Sequence, residues 1–194
     1  GSNHFMIFVK AIKQLKNKRF LFRSAASLIN AFAELPPNPK GVKELSGMRL
    51  KDQYSDWKPG LVVIGSHVPL ADNQLKLLLE DDLCRGIELP VQEIIKAIQS
   101  YASNQLILKL ETDLIEKLKK VLTDNKTPVF YTSRGEHCFD SVSKRMEVGL
   151  KISEIMAHIV GGIAPNLGYI ICKGGITTNA LIQKGLNLKK VYLQ

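Results

Sequence analysis

The chain has 194 residues, 45% apolar and 23% charged, which suits one sizeable α/β domain, or a domain with a connecting arm, and excludes a disordered polypeptide. No apolar run approaches the roughly 20 residues of a membrane helix, and the opening lacks the small-residue cleavage site of a signal peptide. Lysine and arginine outnumber acidic residues 27 to 18, a formal charge of +9 that favours anionic partners.

Gly1-Ser2 is expected to be a tag scar and is set aside. Residues 5–16 (FMIFVKAIKQLK) read as a helix, with Phe5, Phe8, Val9, Ile12 and Leu15 on one side and Lys10, Lys13 and Gln14 on the other. FLF, residues 20–22, predicts a short strand; LINAFAEL predicts a helical stretch stopped by Pro36-Pro37. Between Lys10 and Arg23 lie Lys13, Lys16, Lys18 and Arg19, and no acidic residue occurs until Glu34. No nucleic-acid-binding motif accompanies this basic run, so it reads as a solvated or interdomain face. Residues 36–59 mix Pro, Gly, Lys and Ser without periodicity and read as a linker or long surface loop.

From Leu61 the pattern becomes regular. LVVIG is a buried parallel strand. ADNQLKLLLEDDL follows as a helix, with Leu75, Leu78 and Leu79 inward and Asp72 near its start. IELPV is a further strand whose end Pro90 turns into an edge or a turn. A long helix spans 106–122, its stripe formed by Ile107, Leu110, Leu114, Leu118 and Val121. PVFYTS (128–133) is a strand, and Ser141 to Ile159 a helix burying Val148, Ile152, Ile155 and Ile159. GYIIC (168–172) is a strand, TTNALIQKG a short helix ended by Gly185, and LKKVYL (188–193) a final strand. Alternation of this kind means a three-layer α/β fold: a mainly parallel, Rossmann-like sheet with helices on both faces.

The proposed strands end alike. FLF runs into Arg23-Ser24, LVVI into Gly65-Ser66-His67, VFY into Thr132-Ser133-Arg134, and YIIC into Lys173-Gly174-Gly175. In an open parallel sheet, ligands bind beyond those carboxyl ends. Gly174 and Gly175 would let a phosphate approach the backbone, and the following helix would aim its N–H groups at the same point. Thr177 and Thr178 offer hydroxyls, and Ser66 sits in a similar strand-turn-helix position with Pro69 near the next helix start. Lys173, Thr178, Ser133 and Arg134 are candidate neighbours of the anion. The same residues also suit an ordinary tight turn with a capping threonine. No G-x-x-x-x-G-K-[ST], G-x-G-x-x-G or G-x-S-x-G string occurs.

Cys84, Cys138 and Cys172 are few and far apart, with no C-x-x-C pair, which suits neither a disulfide framework nor a zinc site. A reducing cytoplasm is the expected location, and no metal ligands are assigned. The adjacent His137-Cys138 reads as loop. His67 and Ser66, being neighbours in a turn, are expected to point apart, and His158 falls on a polar stripe.

Several stretches together resemble one family. "LVVIGSHVPLADNQL", "VFYTSRG", "GLKISEIMAHIV" and "YIICKGGITTNALIQKGLNLKKVYL" are similar to successive segments of the C-terminal, nucleotide-binding domain of the four-carbon acid sugar kinases. "KRFLFRSAASLINAFAELPP" resembles the stretch leading out of that family's N-terminal, substrate-binding domain. The resemblance implies an ATP-dependent kinase that phosphorylates a hydroxyl of a short sugar acid such as a threonate, erythronate or oxo-tetronate. By matching position, Ser66 and the run Gly174, Gly175, Ile176 and Thr177 would contact ATP, with Mg²⁺ bridging phosphate oxygens. No residue matches an assignable catalytic base. Residues 3–59 are then expected to be the exit of a substrate domain plus linker. Residues 60–194 would be a nucleotide domain shortened at its C-terminal end and inactive alone.

Two other readings compete. One is a sugar-phosphate-binding isomerase-type domain; the other is a non-catalytic module whose basic arm, residues 10–23, binds nucleic acid or protein. ATP or ADP and a small sugar acid are the expected partners, not nucleic acid or membrane. Pairing of the unpaired early strand with another copy is the route to a homo-oligomer.

Overall fold

Residues 2–34, 41–135 and 138–191 are described by a computed structural model. The chain divides into two compact units, residues 1–47 and 48–194. In the first, α1 (Ser2–Gln14) and α2 (Ala26–Ala33) join through Val9, Leu28 and Ala31, with Phe32 packed alongside. α3 (Val42–Ser46) is a short turn of helix whose start is closed by the Gly41 N–H donating to Glu44 Oε2 at 2.9 Å. Pro36-Pro37 lie outside the described residues.

The strand expected at residues 20–22 does not form. A strand needs a neighbouring backbone to satisfy its N–H and C=O groups, and no partner strand is present among the described residues of this unit. Phe22 instead meets Phe8 edge-on at 6.5 Å, Phe20 at 6.0 Å and Phe32 at 4.9 Å.

The second unit is built on four parallel strands: β1 (Gly60–Ile64), β2 (Cys84–Leu89), β3 (Thr127–Thr132) and β4 (Tyr169–Lys173), in the spatial order β2-β3-β1-β4. β1 is central and wholly buried, which is why it reads as a continuous apolar run. Val62 lies opposite Val129 on one side and Ile171 on the other. Along β1 the side chains alternate between two cores. Leu61 and Val63 join Phe130 against α5 (Val91–Ile98), α6 (Ser103–Thr123) and α7 (Val142–Gly161). Val62 and Ile64 join Val129 against Ala71 and Leu75 of α4 (Pro69–Glu80). The fold is therefore the expected three-layer α/β arrangement, with α5, α6, α7 and the helix that follows β4 on one face and α4 on the other.

Three local expectations are corrected. Residues 91–98 were not expected to be a helix. Pro90 ends β2 and serves as the N-cap residue of α5, where its missing N–H costs nothing, while Val91, Ile94 and Ala97 are buried. Leu79 is not inward: it is 42% exposed, because α4 meets the sheet along Ala71 and Leu75. Residues 188–191 form no strand. The Leu188 N–H returns to the Ile182 carbonyl at 2.9 Å and Asn187 is left-handed at φ 50°, so the chain folds back on the preceding helix; residues 192–193 lie outside the described set.

Residues 48–59, expected to be linker, are ordered by contacts within the second unit. Lys51 pairs with Trp57 in an antiparallel bridge, Leu50 N–H donates to the Gly168 carbonyl at 3.0 Å, and Gly168 N–H donates to the Pro59 carbonyl at 2.7 Å. Arg49 donates to the Lys58 carbonyl at 2.8 Å and stands over the Tyr169 ring at 5.2 Å.

α8 (Gly175–Ala180) continues as a π-helical turn, Leu181–Gly185, closed by the Leu186 N–H to the Leu181 carbonyl at 2.8 Å. This turn crosses α7 so closely that a Cβ on Gly185 would stand 2.5 Å from the Ala157 carbonyl oxygen. Lys184 pairs with Glu154 across the same crossing. The crossing fixes where α8 begins.

Candidate functional site

β1 and β4 are neighbours, yet the helices that follow them leave in opposite directions. α4 covers the core containing Val62 and Ile64, whereas Leu181, at the end of α8, joins the core containing Leu61 and Val63. In open α/β sheets the crevice expected where adjacent parallel strands part in this way is the place where ligands bind. Gly65-Ser66 and Gly174-Gly175 form its two lips.

The lips touch. Gly65 N–H donates to the Lys173 carbonyl at 3.1 Å, extending the ladder one step past β1. Gly174 has φ 119° and ψ 123°, a conformation closed to residues with a side chain, and a Cβ placed on it would stand 3.3 Å from the Ser66 nitrogen. Gly175 faces open space: a Cβ there would meet nothing within 4 Å. The first intrahelical bond of α8 is the Thr178 N–H to the Gly174 carbonyl at 2.8 Å, so the amides of Gly175, Ile176 and Thr177 precede the ladder and have no helical acceptor. Three N–H groups without a helical acceptor and an exposed glycine thus come together at the start of α8.

The threonine side chains are turned into the protein. Thr177 is 6% exposed and its side chain fills the space beside Gly65, where a Cβ would lie 2.0 Å from Thr177 Oγ1. Thr178 Oγ1 donates back to the Gly174 carbonyl at 2.8 Å. Ile176 is exposed at the start of α8.

Two cations flank the crevice, and they are engaged differently. Lys173 Nζ reaches across to Gln74 Oε1 on α4, a neutral acceptor. Arg134 Nη1 donates to the Ser66 carbonyl at 2.7 Å, faces Asp72 Oδ1 at 3.4 Å and lies over the Tyr131 ring at 5.9 Å. Ser133 sits further along the same edge, where its hydroxyl accepts the Val91 N–H at 3.1 Å and starts α5. Thr132 is buried and its hydroxyl meets His67 Nε2 at 2.9 Å, so His67 turns toward β3. Cys172, just before Lys173, is half-buried; burial pushes its thiol up, against a hydrogen bond with Thr178 that pulls it down.

Sequence pattern placed Ser66, Ser133, Arg134, Lys173 and Gly174 at strand ends. It did not show that Ser66 and Gly174 lie side by side, because strand order is a tertiary property. It also passed over Gln74 and gave Asp72 only a helical position. Spacing from the Ser66 turn was the one available signal, since the first two turns of α4 must rise from that lip. His158, expected on a polar stripe, is exposed and faces Glu111 Oε1 at 3.5 Å. His137 lies outside the described residues, and among those described no three His, Cys, Asp or Glu side chains gather as a metal site. No described helix is long and apolar enough to cross a membrane.

No curated protein matches the sequence. Residues 61–194 match the family model described as a nucleotide-binding C-terminal domain, a span that starts in β1 and takes in both lips of the crevice. The chain belongs to the family of four-carbon acid sugar kinases that this nucleotide-binding domain defines.

Proposed function

We propose that the crevice binds ATP or ADP through its phosphates, as the nucleotide half of a kinase that phosphorylates a hydroxyl of a short, four-carbon sugar acid. The observation that carries this reading is the meeting of Ser66 and Gly174 where β1 and β4 part toward opposite faces. Ser66 would contribute its hydroxyl and amide from one lip. Gly174, Gly175, Ile176 and Thr177 would contribute backbone from the other, Thr177 by its N–H because its side chain is enclosed. Lys173, held only to a neutral amide among the described partners, is the cation placed to exchange that partner for a phosphate oxygen.

Phosphoryl transfer depends on alignment and charge neutralisation more than on covalent help from the protein. In this reading Mg²⁺ would be carried by the nucleotide's phosphate oxygens and would neutralise their charge. The protein's own part is to hold the phosphates against a fixed backbone and supply positive charge beside them. The sugar acid would be bound by residues outside the crevice.

Titration of the isotope-labelled chain with ADP tests the reading. Amide resonances of Ser66, Gly174, Gly175 and Ile176 should shift together with one dissociation constant. Millimolar ADP that leaves all four unmoved overturns it. Movement of those amides by a sugar phosphate, with none by ADP, would transfer the site to an isomerase-type function.

A further inference from the structure

We propose that Arg134 is a positioning residue that sets the Ser66 lip of the crevice and does not itself take hold of the phosphate. This deepens the nucleotide reading and rests on it.

A guanidinium at the end of a strand beside an anion site would ordinarily be read as a phosphate ligand, and the sequence makes Arg134 a candidate neighbour of the anion. The contacts it makes point elsewhere. Its Nη1 is committed to the Ser66 carbonyl at 2.7 Å, the same group faces the Asp72 carboxylate at 3.4 Å, and its plane lies above the Tyr131 ring. Thus one side chain from the end of β3 links the loop after β1 to the first turn of α4 and to β3 itself. Its Nε and Nη2 are enclosed and have no hydrogen-bond partner among the described residues. A group with two donors shut away from solvent and a third bonded to backbone is built into the turn.

What the bond holds is the Ser66 carbonyl, and therefore the rotation of the chain between the Ser66 Cα and His67. The Ser66 hydroxyl and N–H stand on that same residue, with the N–H beside Gly174. With the carbonyl free, the turn that carries those donors would sample several positions; with it held, the turn is fixed before any ligand arrives. Such preorganisation raises affinity by removing the cost of ordering the loop. Lysine cannot reproduce the arrangement, since it replaces the planar guanidinium, which lies over Tyr131 while Nη1 meets the carbonyl and Asp72, with a compact, strongly hydrated ammonium.

The experiment uses the 194-residue chain, ADP, and the variants Arg134→Lys, Arg134→Met and Asp72→Asn. Without nucleotide, the Arg134 variants should displace the Ser66 and His67 amide resonances while leaving that of Gly175 in place. ADP affinity should fall about tenfold in Arg134→Met, as for loss of one charge-assisted hydrogen bond. Arg134→Lys should fall nearly as far despite keeping its charge, and Asp72→Asn should show a smaller loss in the same direction. In the unaltered protein, ADP should leave the Arg134 Nε–H resonance essentially unmoved, a readout that survives any failure of the variants to fold. Full affinity in Arg134→Lys, or a large ADP-dependent shift of the Arg134 Nε–H, would overturn the positioning role and make Arg134 a direct ligand. If the unaltered chain does not bind ADP at all, the nucleotide reading fails first, and the resonances of the apo variants still report whether Arg134 orders Ser66.

Discussion

Thr177 Oγ1 stands 2.0 Å from where a Cβ on Gly65 would be, so the first turn of α8 is seated directly on the backbone of the opposite lip. The seat joins the two sides of the crevice without any charged group. Gly65→Ala should therefore force the lips apart and destabilise the domain by about 1–3 kcal/mol, the usual cost of overpacking. Adding Thr177→Ala removes Oγ1 and Cγ2 and should recover part of that loss. A double-mutant cycle in urea with a coupling below roughly 0.5 kcal/mol would show that the two residues do not meet.

The two glycines of the turn should behave oppositely. At Gly174 the backbone is in a region closed to alanine, and Gly174→Ala should cost about 1–3 kcal/mol. Gly175 begins a helix with open space before it, so Gly175→Ala should be neutral or stabilise by about 0.4–1 kcal/mol. The new methyl would nevertheless project where the phosphates are proposed to lie, and ADP binding should weaken. A variant that folds as well as its parent and binds ADP equally well would remove Gly175 from the site.

A pH effect is expected at the crossing of α7 and the π-helical turn. The Glu154 carboxyl is held below its ordinary value of 4.5, first by its hydrogen bond with Lys184, against a smaller opposing effect of burial. A carboxylate lowered on folding stabilises the protein above the unfolded value and loses that contribution as pH falls through the folded one. The stability difference between the unaltered chain and Glu154→Gln should hold from pH 7 to about 5 and shrink toward pH 3. Both side chains are partly exposed, at 47% and 30%, so the difference should not exceed about 1 kcal/mol. An equal difference at pH 7 and pH 3 would rule out the ion pair as its source.

Arg49 should matter to residues 48–59. It holds the Lys58 carbonyl and lies over both Trp57 and Tyr169, so Arg49→Ala removes a hydrogen bond and two cation–π contacts. A loss of about 1–2 kcal/mol and faster amide exchange at Leu50 and Lys58 are expected. Unchanged exchange at both amides would mean that the bridge between Lys51 and Trp57 is sufficient alone.

How far these features could be read from residues depends on the range of the forces behind them. The period of apolar residues is set by a segment's own burial, so β1, β3, β4, α6 and α7 were legible within two or three residues. FLF at 20–22 was misread because an apolar triplet suits a cluster of rings as well as a strand. Residues 91–98 were missed because Pro90 can end one element and begin another, and LKKVYL because a strand exists only where an edge receives it. In the crevice, residue types carried only the expectation that the Gly174-Gly175 turn binds an anion. Pattern could not show that Thr177 would be consumed in packing or that Arg134 would be bonded to Ser66. Those facts follow from β4 and β3 lying on either side of β1, where Ile64 pairs with Lys173, 109 positions further along the chain, and with Tyr131.

The parting of α4 and α8 from neighbouring strands has a mechanical outcome. Each helix is anchored in a different core, and two strand ends and a pair of glycine-containing turns lie between their beginnings. An anion bridging Ser66 and Gly175 would act as a rivet through the sheet, so protection against hydrogen exchange should rise in step on both layers when the crevice is filled.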